Sequence, residues 1–391
     1  MIYAVVGSFA SVFMLAKGYT NMHIGTTFAA ANLLALAMQP FVADRMDRAK
    51  GIALIDAAAV FAVLMLLTGT GYFFFKGGSL LLALAIVIIL AIHALLQPLL
   101  NTLAFRLSES GVPVSFGLGR AGGSLGYSMI LAVLGTLTVR RGVMSIPVCA
   151  ELACILLILF LMLSKLSFRK TVSRRAAAEA EESRDAAGAP ADKQKDERID
   201  LRDFIRRNRA FFIMNLGMVG LFFSNVILSN YMAQIAGNVG GTTEQIGRIL
   251  SLMALTEIPT MVFFDRIRHR FRSRTILKVA AVGFTAKIAV CWAAESVGLL
   301  YASQFLQMVA FALILPGMVY FTDEIMSPGE AVKGQALFTM MITLSTIIAS
   351  FAGGWLLDAY GVKTLTFVST LITAAGAVIV LLTADRVKAH H

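Results

Sequence analysis

The sequence is poor in charged residues. Only 15% of its 391 residues are Asp, Glu, Lys or Arg, whereas 58% are hydrophobic, and the mean hydropathy is +0.78. No soluble globular protein of this length needs so much apolar surface, so a soluble fold is excluded. The apolar runs are continuous and long rather than alternating, which argues against a transmembrane β-barrel. The class that remains is a polytopic helical membrane protein.

Cysteine is scarce, and the common catalytic motifs are missing. Cys149, Cys154 and Cys291 lie in apolar runs without metal-ligand spacing, so we expect packing residues rather than disulfides or a metal site. The chain contains no G-x-x-x-x-G-K-[ST] or H-E-x-x-H motif, which leaves ATP hydrolysis and metalloproteolysis without support. Its G-x-S-x-G match, Gly122-Gly123-Ser124-Leu125-Gly126, lies within an apolar run and not at a strand-to-helix turn, so nucleophile-elbow chemistry lacks support as well. A repeated filter motif and an arginine ladder are also missing, which disfavours a channel. We therefore expect neither an enzyme nor a bound cofactor.

The formal net charge of +11 would suggest a nucleic-acid partner in a soluble protein. Here it is explained by Lys and Arg collected in loops on one side of a bilayer, so we expect no nucleic acid. The loops Asp44–Lys50 and Asp265–Arg274 and both ends of a central hydrophilic segment share that side. The positive-inside rule predicts that this side, with both termini, faces the cytosol of what we expect to be a bacterial cytoplasmic membrane.

The apolar runs predict an all-α integral membrane protein of twelve transmembrane helices. A span needs ~20 residues, and the runs fall in two sets of six on either side of a hydrophilic break at Arg169–Arg209. We predict two six-helix pseudo-repeat bundles, 1–165 and 210–391, joined by a charged cytoplasmic linker, 166–209, in which a short helix at 174–186 is allowed. The runs are 1–17, 23–43, 52–75, 79–105, 114–138, 143–165, 210–236, 245–264, 275–294, 297–321, 334–357 and 363–385.

An isolated arginine marks the fifth run. Arg120 lies in the stretch Phe116–Tyr127, FGLGRAGGSLGY, which carries no other charge. An arginine at the bilayer centre costs about 2.5–3.5 kcal/mol on insertion scales and therefore usually faces a cavity or a partner. The glycines around it permit close approach of a neighbouring helix. The alternative is that Arg120 lies near the cytosolic end of its helix and extends to the lipid headgroups.

Two acid–base pairs stand at corresponding places in the two halves. Asp44-Arg45 follows the second run of the first half, and Asp265-Arg266 follows the second run of the second half. This repeat is the pattern of a transporter built from two six-helix halves. With the charged central loop, it resembles the major facilitator superfamily, whose loop reads roughly G-x-x-x-D-R-x-G-R-R; Asp44, Arg45 and Arg48 match. The resemblance implies that these residues form a gating loop; plain topology charges are the alternative.

Within that superfamily the chain resembles the group of lactose and phenylpropionate permeases, which are proton symporters. FGLGRAGGSLGY is similar to the fifth helix of the group, which implies that Arg120 binds substrate and Tyr127 stacks on it. Asn101, in the segment Pro98-Leu-Leu-Asn, takes the place of an acid that pairs with this arginine. These three residues are the substrate contacts expected from the first half.

The same resemblance assigns residues in the second half. Glu257 matches an acid of the eighth helix, and Lys287 takes the place of an arginine of the ninth. Gln307 and Ala310 stand where the group has its proton-relay histidine and glutamate. We therefore expect Lys287 and Gln307 to contact substrate, and any proton coupling to run through Glu257.

The intramembrane charges support part of this assignment independently. Glu257 and Lys287 lie far from other charges in sequence, and an isolated buried charge is costly, so we expect them to approach each other or to line one cavity. A fixed structural ion pair is the alternative. For Glu151 the alternatives are a contribution to an outer vestibule and a hydrogen-bonded or interfacial acid, and for His93 they are a proton relay and a satisfied histidine. Asp56, near the cytosolic end of its run, is expected to be a loop-linked acid. Four further polar residues either hydrogen-bond a solute or tie helices together: Asn215, Asn225, Asn230 and Gln234.

The sequence thus predicts a monomeric secondary transporter of a small polar organic solute (a sugar, nucleoside or aromatic acid) with protons as possible co-substrate and the lipid bilayer as its surroundings. Its halves would rock around a midplane cavity. An uncoupled facilitator or exporter of the same fold is one alternative, since the relay residues are replaced. A non-transporting membrane receptor or scaffold is an alternative of another class.

Overall fold

The computed structural model describes residues 2–47, 51–75, 77–109, 116–182 and 201–387. Arg48 lies outside these ranges, and the side chains of Asp44, Asn101 and Arg120 lie outside the described part as well.

Apart from one π-helical turn and one 3-10 turn, the regular structure within these ranges is α-helical, which confirms the predicted all-α class. The helices are α1 Ala10–Ala16, α2 Asn21–Asp47, α3 Gly51–Gly69, α4 Gly71–Phe74, α5 Leu80–Glu109, α6 Phe116–Arg141, α7 Ser145–Glu182, α8 Leu201–Arg207, α9 Arg209–Asn230, α10 Met232–Asn238, α11 Thr243–Arg270, α12 Ser273–Ala293, α13 Val297–Gln304, α14 Phe311–Ile325 and α15 Pro328–Thr383.

Ten helical segments of the described ranges are long and apolar enough to cross a membrane. The predicted run 1–17 is divided into a π-helical turn, Ala4–Ser8, and α1. The runs 334–357 and 363–385 lie in the single helix α15, which is broken at Gly361 by a φ of +77° and a ψ of −177°. Glycine adopts a positive φ without steric cost, so the break falls between the two predicted runs. The count of twelve membrane crossings stays a prediction.

The predicted linker is helical at both of its described edges. α7 continues through the hydrophobic run to Glu182, so the helix allowed at 174–186 begins as its extension. α8 carries Phe204, whose side chain is fully buried against the second half. The C-terminal segment packs at the same end, where Arg274 donates to the Val387 carbonyl oxygen at 2.8 Å and Val387 joins the same core.

Two ion pairs repeat the pseudo-symmetry of the halves. Lys165 of α7 pairs with Asp56 of α3, which joins the third and sixth predicted spans of the first half. Lys278 of α12 pairs with Asp385, just beyond α15, at the corresponding place in the second half. The acid and the base have exchanged helices between the halves. Both pairs lie at the predicted cytosolic side, where their charges remain partly hydrated.

The two halves share a hydrophobic core at the predicted outer side. Ile24 of α2 and Leu131 of α6 belong to the same buried cluster as Ile227 of α9 and Ile246 of α11. A second cluster fills the predicted cytosolic end of the second half and is rich in phenylalanine: Phe204, Phe211, Phe222, Phe264, Phe284, Phe321 and Phe338.

Candidate functional site

An acid, an amide and a base from three segments form a hydrogen-bonded chain in the second half. Lys287 Nζ of α12 donates to Gln307 Oε1 at 2.6 Å, and Gln307 Nε2 donates to Glu257 Oε1 of α11 at 2.8 Å. Glu257 and Lys287 therefore approach each other, as the cost of isolated buried charges predicts. The structure adds a residue between them, because Gln307 bridges the two. We call these three residues the amide-bridged triad.

The backbone that carries Gln307 is not α-helical. It belongs to the 3-10 turn Phe305–Met308, and α14 begins only at Phe311. The main chain here leaves carbonyl oxygens without the usual helical donors. Thr256 Oγ1 donates to the Gln304 carbonyl oxygen and Thr260 Oγ1 to the Met308 carbonyl oxygen, both at 3.0 Å. These two threonines flank Glu257 on α11, so the same face of α11 that carries the acid also fixes the turn that carries the amide.

Two members of the triad, Lys287 and Gln307, lie away from bulk water. Lys287 retains 2% of its accessible surface and Gln307 1%, while Glu257 is half-buried. A buried ammonium is stable only with hydrogen-bonding acceptors and a compensating charge. Gln307 supplies the acceptor, and Glu257 supplies the charge through the amide. One turn along α12, Cys291 donates to Ser303 Oγ at 3.1 Å, which continues the polar strip towards the predicted outer side.

An aromatic group from the first half accompanies the triad. Tyr127 of α6 shares a hydrogen bond with Ser8 Oγ at 2.6 Å. Its ring stacks on Tyr3, with centroids 6.3 Å apart and planes at 16°, and Tyr3 in turn lies 5.2 Å from the His93 ring. His93 is therefore packed against an aromatic ring. Tyr127 and Glu257, which belong to different halves, are near enough to interact electrostatically.

α6 and α11 cross at two glycines above this level. A Cβ added at Gly247 would lie 3.0 Å from the Gly135 Cα atom, and one at Gly135 would lie 3.0 Å from the Thr243 carbonyl oxygen. Glycine is needed at both positions because a side chain would meet backbone. Next to the crossing, Thr136 Oγ1 donates to Glu244 Oε1 at 3.1 Å. The contact lies on the predicted outer side of Tyr127 and Glu257.

α2 and α15 make the corresponding contact on the other side of the pseudo-symmetry axis. A Cβ at Gly25 would lie 2.7 Å from Tyr231 Oη and 3.2 Å from the Gly354 Cα atom. Tyr231 donates its hydroxyl to the Ser350 carbonyl oxygen, and Asn230 Nδ2 donates to Ser350 Oγ at 3.1 Å. Asn230 therefore ties helices together, one of the two roles predicted for it.

Asp358 closes this crossing with a set of hydrogen bonds. Its carboxylate accepts from the Asn21 backbone N at 3.2 Å, Asn21 Nδ2 at 2.8 Å and the Met22 backbone N at 2.7 Å. Gln234 Nε2 of α10 donates to Asn21 Oδ1 at 2.9 Å, so this predicted polar residue also ties helices, and it does so between the halves. The carboxylate thus stabilises the positive end of α2 from the opposite half.

On the predicted cytosolic side of this level, α2 and α6 expose several residues. Cβ atoms added at Gly122 and Gly123 of α6 would meet nothing within 4 Å. On α2, Met38 and Phe41 are 42% and 69% exposed, whereas Ile24 and Phe28 in the outer part of the helix are buried. Among the described residues, the close glycine contacts between the halves thus lie on the outer side of the triad.

The remaining predicted site residues are placed as follows. The backbones of Asn101 and Arg120 lie in α5 and α6, but their side chains are outside the description, as are Asp44 and Arg48. Arg45 is exposed near the end of α2, and Asp265 accepts from Arg268 Nε at 2.7 Å within α11. Arg266 lies over the Phe263 ring at 5.4 Å. Elsewhere, the Glu151 carboxylate of α7 packs against Gly69 of α3. A Cβ atom added at Gly69 would overlap Glu151 Oε1.

Sequence reasoning missed the residues that join the halves. Gly25, Gly135, Gly247 and Gly354 carry no chemical signal that separates them from the other glycines, and Asp358 was not singled out. The available signal was the small-residue pattern on predicted transmembrane helices, which marks close helix approach without naming the partner.

The chain is similar to known transporters along its whole length. The family model described as "MFS_1 like family" matches residues 1–368. A maltose permease of Geobacillus stearothermophilus is 23% identical over 367 residues, which cover 93% of this chain and 86% of that protein.

Solved structures show the same fold. The nucleoside transporter NupG superposes with a TM-score of 0.75 at 14% identity, covering 98% of this chain and 95% of that one. A bacterial homologue of the human lysosomal transporter Spinster, in an inward-facing and unoccupied conformation, gives a TM-score of 0.66 at 13% identity over 99% and 94% of the two chains. The polytopic fold and the family match agree: this chain belongs to the MFS_1-like family of the major facilitator superfamily and is a multi-pass membrane transporter, not an enzyme.

Proposed function

We propose that the protein carries a small polar solute by alternating access, and that the structure represents its inward-facing state. The observation that supports this is the pair of glycine crossings, Gly25 with Gly354 and Gly135 with Gly247, on one side of the amide-bridged triad. Closure on one side of a midplane site with divergence on the other is the geometry that alternating access requires. In this proposal the closed side is periplasmic and both termini are cytosolic, in a bacterial cytoplasmic membrane.

The proposed substrate is a neutral ring compound with several hydroxyl groups, a sugar or a nucleoside. Tyr127 would offer an aromatic surface from the first half, and Glu257 a hydrogen-bond acceptor from the second. Arg120 and Asn101 complete the proposed contacts, with Lys287 and Gln307 behind Glu257. A maltose permease among the relatives and a nucleoside transporter among the related folds support the same solute classes. An aromatic acid is the runner-up, because Arg120 would bind a carboxylate.

We assign closure of the cytosolic side to the charged loops. In the proposal Asp44, Arg45 and Arg48 approach the corresponding pair Asp265 and Arg266 when the cytosolic side closes. The pairs Lys165–Asp56 and Lys278–Asp385 would stay intact throughout, since each joins two helices of the same half.

In the first candidate mechanism, solute transport is coupled to protons through Glu257. In the second, the protein is an uncoupled facilitator. The hydrogen bonds of the triad favour the second candidate, because Glu257 and Lys287 neutralise each other through Gln307 without an added proton.

Counterflow in proteoliposomes tests the proposal. Vesicles loaded with unlabelled maltose or uridine and diluted into the labelled solute should accumulate label transiently without any pH gradient. A facilitator does no more than this, whereas a symporter also accumulates solute when an inward proton gradient is imposed. A receptor or scaffold does neither, and its vesicles would behave like protein-free liposomes for every sugar, nucleoside and aromatic acid tried.

A further inference from the structure

We propose that Gln307 is a positioning residue rather than a substrate contact. Its amide holds Glu257 and Lys287 in opposite charge states. When the protonation state of one of these two residues changes, the amide rotates by half a turn and so transmits the change to the other. Both polar atoms of the amide are engaged, and the side chain is 1% exposed, so it offers no surface to a solute. The transport readout below depends on the proposed function, whereas the stability readout does not.

The direction of the amide is determined by the charges at its two ends. With Glu257 as carboxylate and Lys287 as ammonium, the carbonyl oxygen of Gln307 must face the ammonium and the NH₂ group must face the carboxylate. The reverse orientation would set NH₂ against an ammonium and a carbonyl oxygen against a carboxylate. The observed bonds of 2.6 Å and 2.8 Å follow the first arrangement.

One other arrangement satisfies the same groups. A proton leaves Lys287 Nζ, which keeps the electron pair, and binds Glu257 Oε1, so that an N–H bond breaks and an O–H bond forms. The amide then turns by half a rotation, its oxygen accepts from the Glu257 O–H, and its NH₂ group donates to the Lys287 lone pair. The triad is neutral overall in both arrangements, so it takes up no net proton. It therefore has two states with equal charge, which is a bistable element that solute binding at Glu257 would bias.

The backbone that carries the amide is held separately from the amide itself. Thr256 and Thr260 of α11 hold the 3-10 turn through the carbonyl oxygens of Gln304 and Met308. The titratable groups near the triad are Tyr127 of α6, which interacts electrostatically with Glu257, and Cys291 of α12, which donates to Ser303 and lies one turn from Lys287. The Arg120 side chain of α6 lies outside the described residues.

A double-mutant cycle tests whether the amide carries the coupling. Glu257→Gln and Lys287→Met are made singly and together, and the melting temperature of the purified protein is measured in each. We expect the double variant to lose markedly less than the sum of the two single losses, because each single change leaves the other charge buried and unbalanced. In a Gln307→Met background most of this non-additivity should disappear.

The matched control is Gln304→Met, because Gln304 is an equally buried amide that bonds the Leu300 carbonyl oxygen and Ser303 instead of the triad. It should leave the non-additivity between Glu257 and Lys287 unchanged. Undiminished non-additivity in the Gln307→Met background, or an equal loss in the Gln304→Met background, would overturn the proposal.

The pH profile of solute exchange supplies a second readout. Gln307→Glu places two carboxylates around one ammonium, and neighbouring carboxylates share a proton because both cannot ionise without repulsion. We expect severalfold pH dependence of counterflow between pH 5 and pH 8 in this variant, and a flat profile in Gln307→Met. Identical profiles in the two variants would contradict the proposal. If Gln307→Glu does not fold, or if the wild type exchanges none of the solutes tried, the stability cycle decides alone.

Discussion

Adding one methyl group at Gly25 should force the predicted outer side open. The alanine Cβ would lie 2.7 Å from Tyr231 Oη, 3.2 Å from the Gly354 Cα atom and closer still to the Ser350 carbonyl oxygen. Two of these neighbours are backbone atoms of α15 and cannot rotate away. Overpacking of this kind costs about 1–3 kcal/mol in the closed state, and the open state does not have this cost. A difference of that size shifts the equilibrium towards outward opening by about 5- to 150-fold.

The shift is measurable as a distance between the halves. Arg140 at the end of α6 and Glu295 just after α12 are both exposed at the predicted outer side and belong to different halves. Spin labels at these two positions, in a background without the three native cysteines, should show a larger population at long distance in Gly25→Ala than in the parent. The control is Gly123→Ala, whose Cβ meets nothing within 4 Å, and this variant should keep the parent distribution.

The direction in which Gly25→Ala changes the melting temperature shows whether α2 and α15 are closely packed at this glycine. In an open helical position, replacing glycine by alanine stabilises by roughly 1 kcal/mol through backbone entropy. An unchanged distance distribution in Gly25→Ala, together with a raised melting temperature, would therefore refute the argument that this glycine closes the outer side.

Three further expectations concern topology, substrate contact and coupling. A single cysteine at Ala187 should resist impermeant maleimide in intact cells and react after lysis, because the basic residues around it predict a cytosolic linker; labelling in intact cells would reverse the orientation. Arg120→Lys should reduce solute affinity at least tenfold with folding intact, since lysine lacks the planar donor fork of arginine; parental affinity would favour the headgroup alternative. Glu257→Gln should abolish any accumulation driven by a pH gradient while exchange persists, with Glu257→Gln/Lys287→Met as the charge-balanced control; continued pH-driven accumulation by the folded single variant would remove Glu257 as proton carrier.

The approach of Glu257 and Lys287 could be predicted because an isolated buried charge is expensive wherever it lies. That argument needs only the residue types and the apolar runs around them. Gln307 is predicted at the site as a substrate contact, and that role stays a prediction. Burying a neutral amide costs less free energy than burying a charge, so the residue type alone does not indicate which groups the amide must bond. Only the geometry shows that Gln307 bridges the acid and the base.

The division of the chain into apolar runs was predictable from local composition, including the break that Gly361 makes in α15. The contacts between the halves were not. The chain contains 32 glycines, and the property that distinguishes Gly25 and Gly354 from Gly122 is the presence of a facing backbone from a distant helix. Asp358 was missed for the same reason, because its partners lie more than 300 residues away in sequence.

The cap that Asp358 places on α2 makes the first turn of that helix a reporter of gating. A helix leaves its first amide hydrogens without intrahelical acceptors. Here those of Asn21 and Met22 are accepted by Asp358 from the other half, whereas that of His23 is accepted by the Thr20 hydroxyl group of the same half at 3.3 Å. Each separation of the halves therefore exposes the first two amides to solvent while the third keeps its partner. Deuterium exchange at Asn21 and Met22, compared with His23, would count openings of the outer side without requiring any part of the helix to unfold.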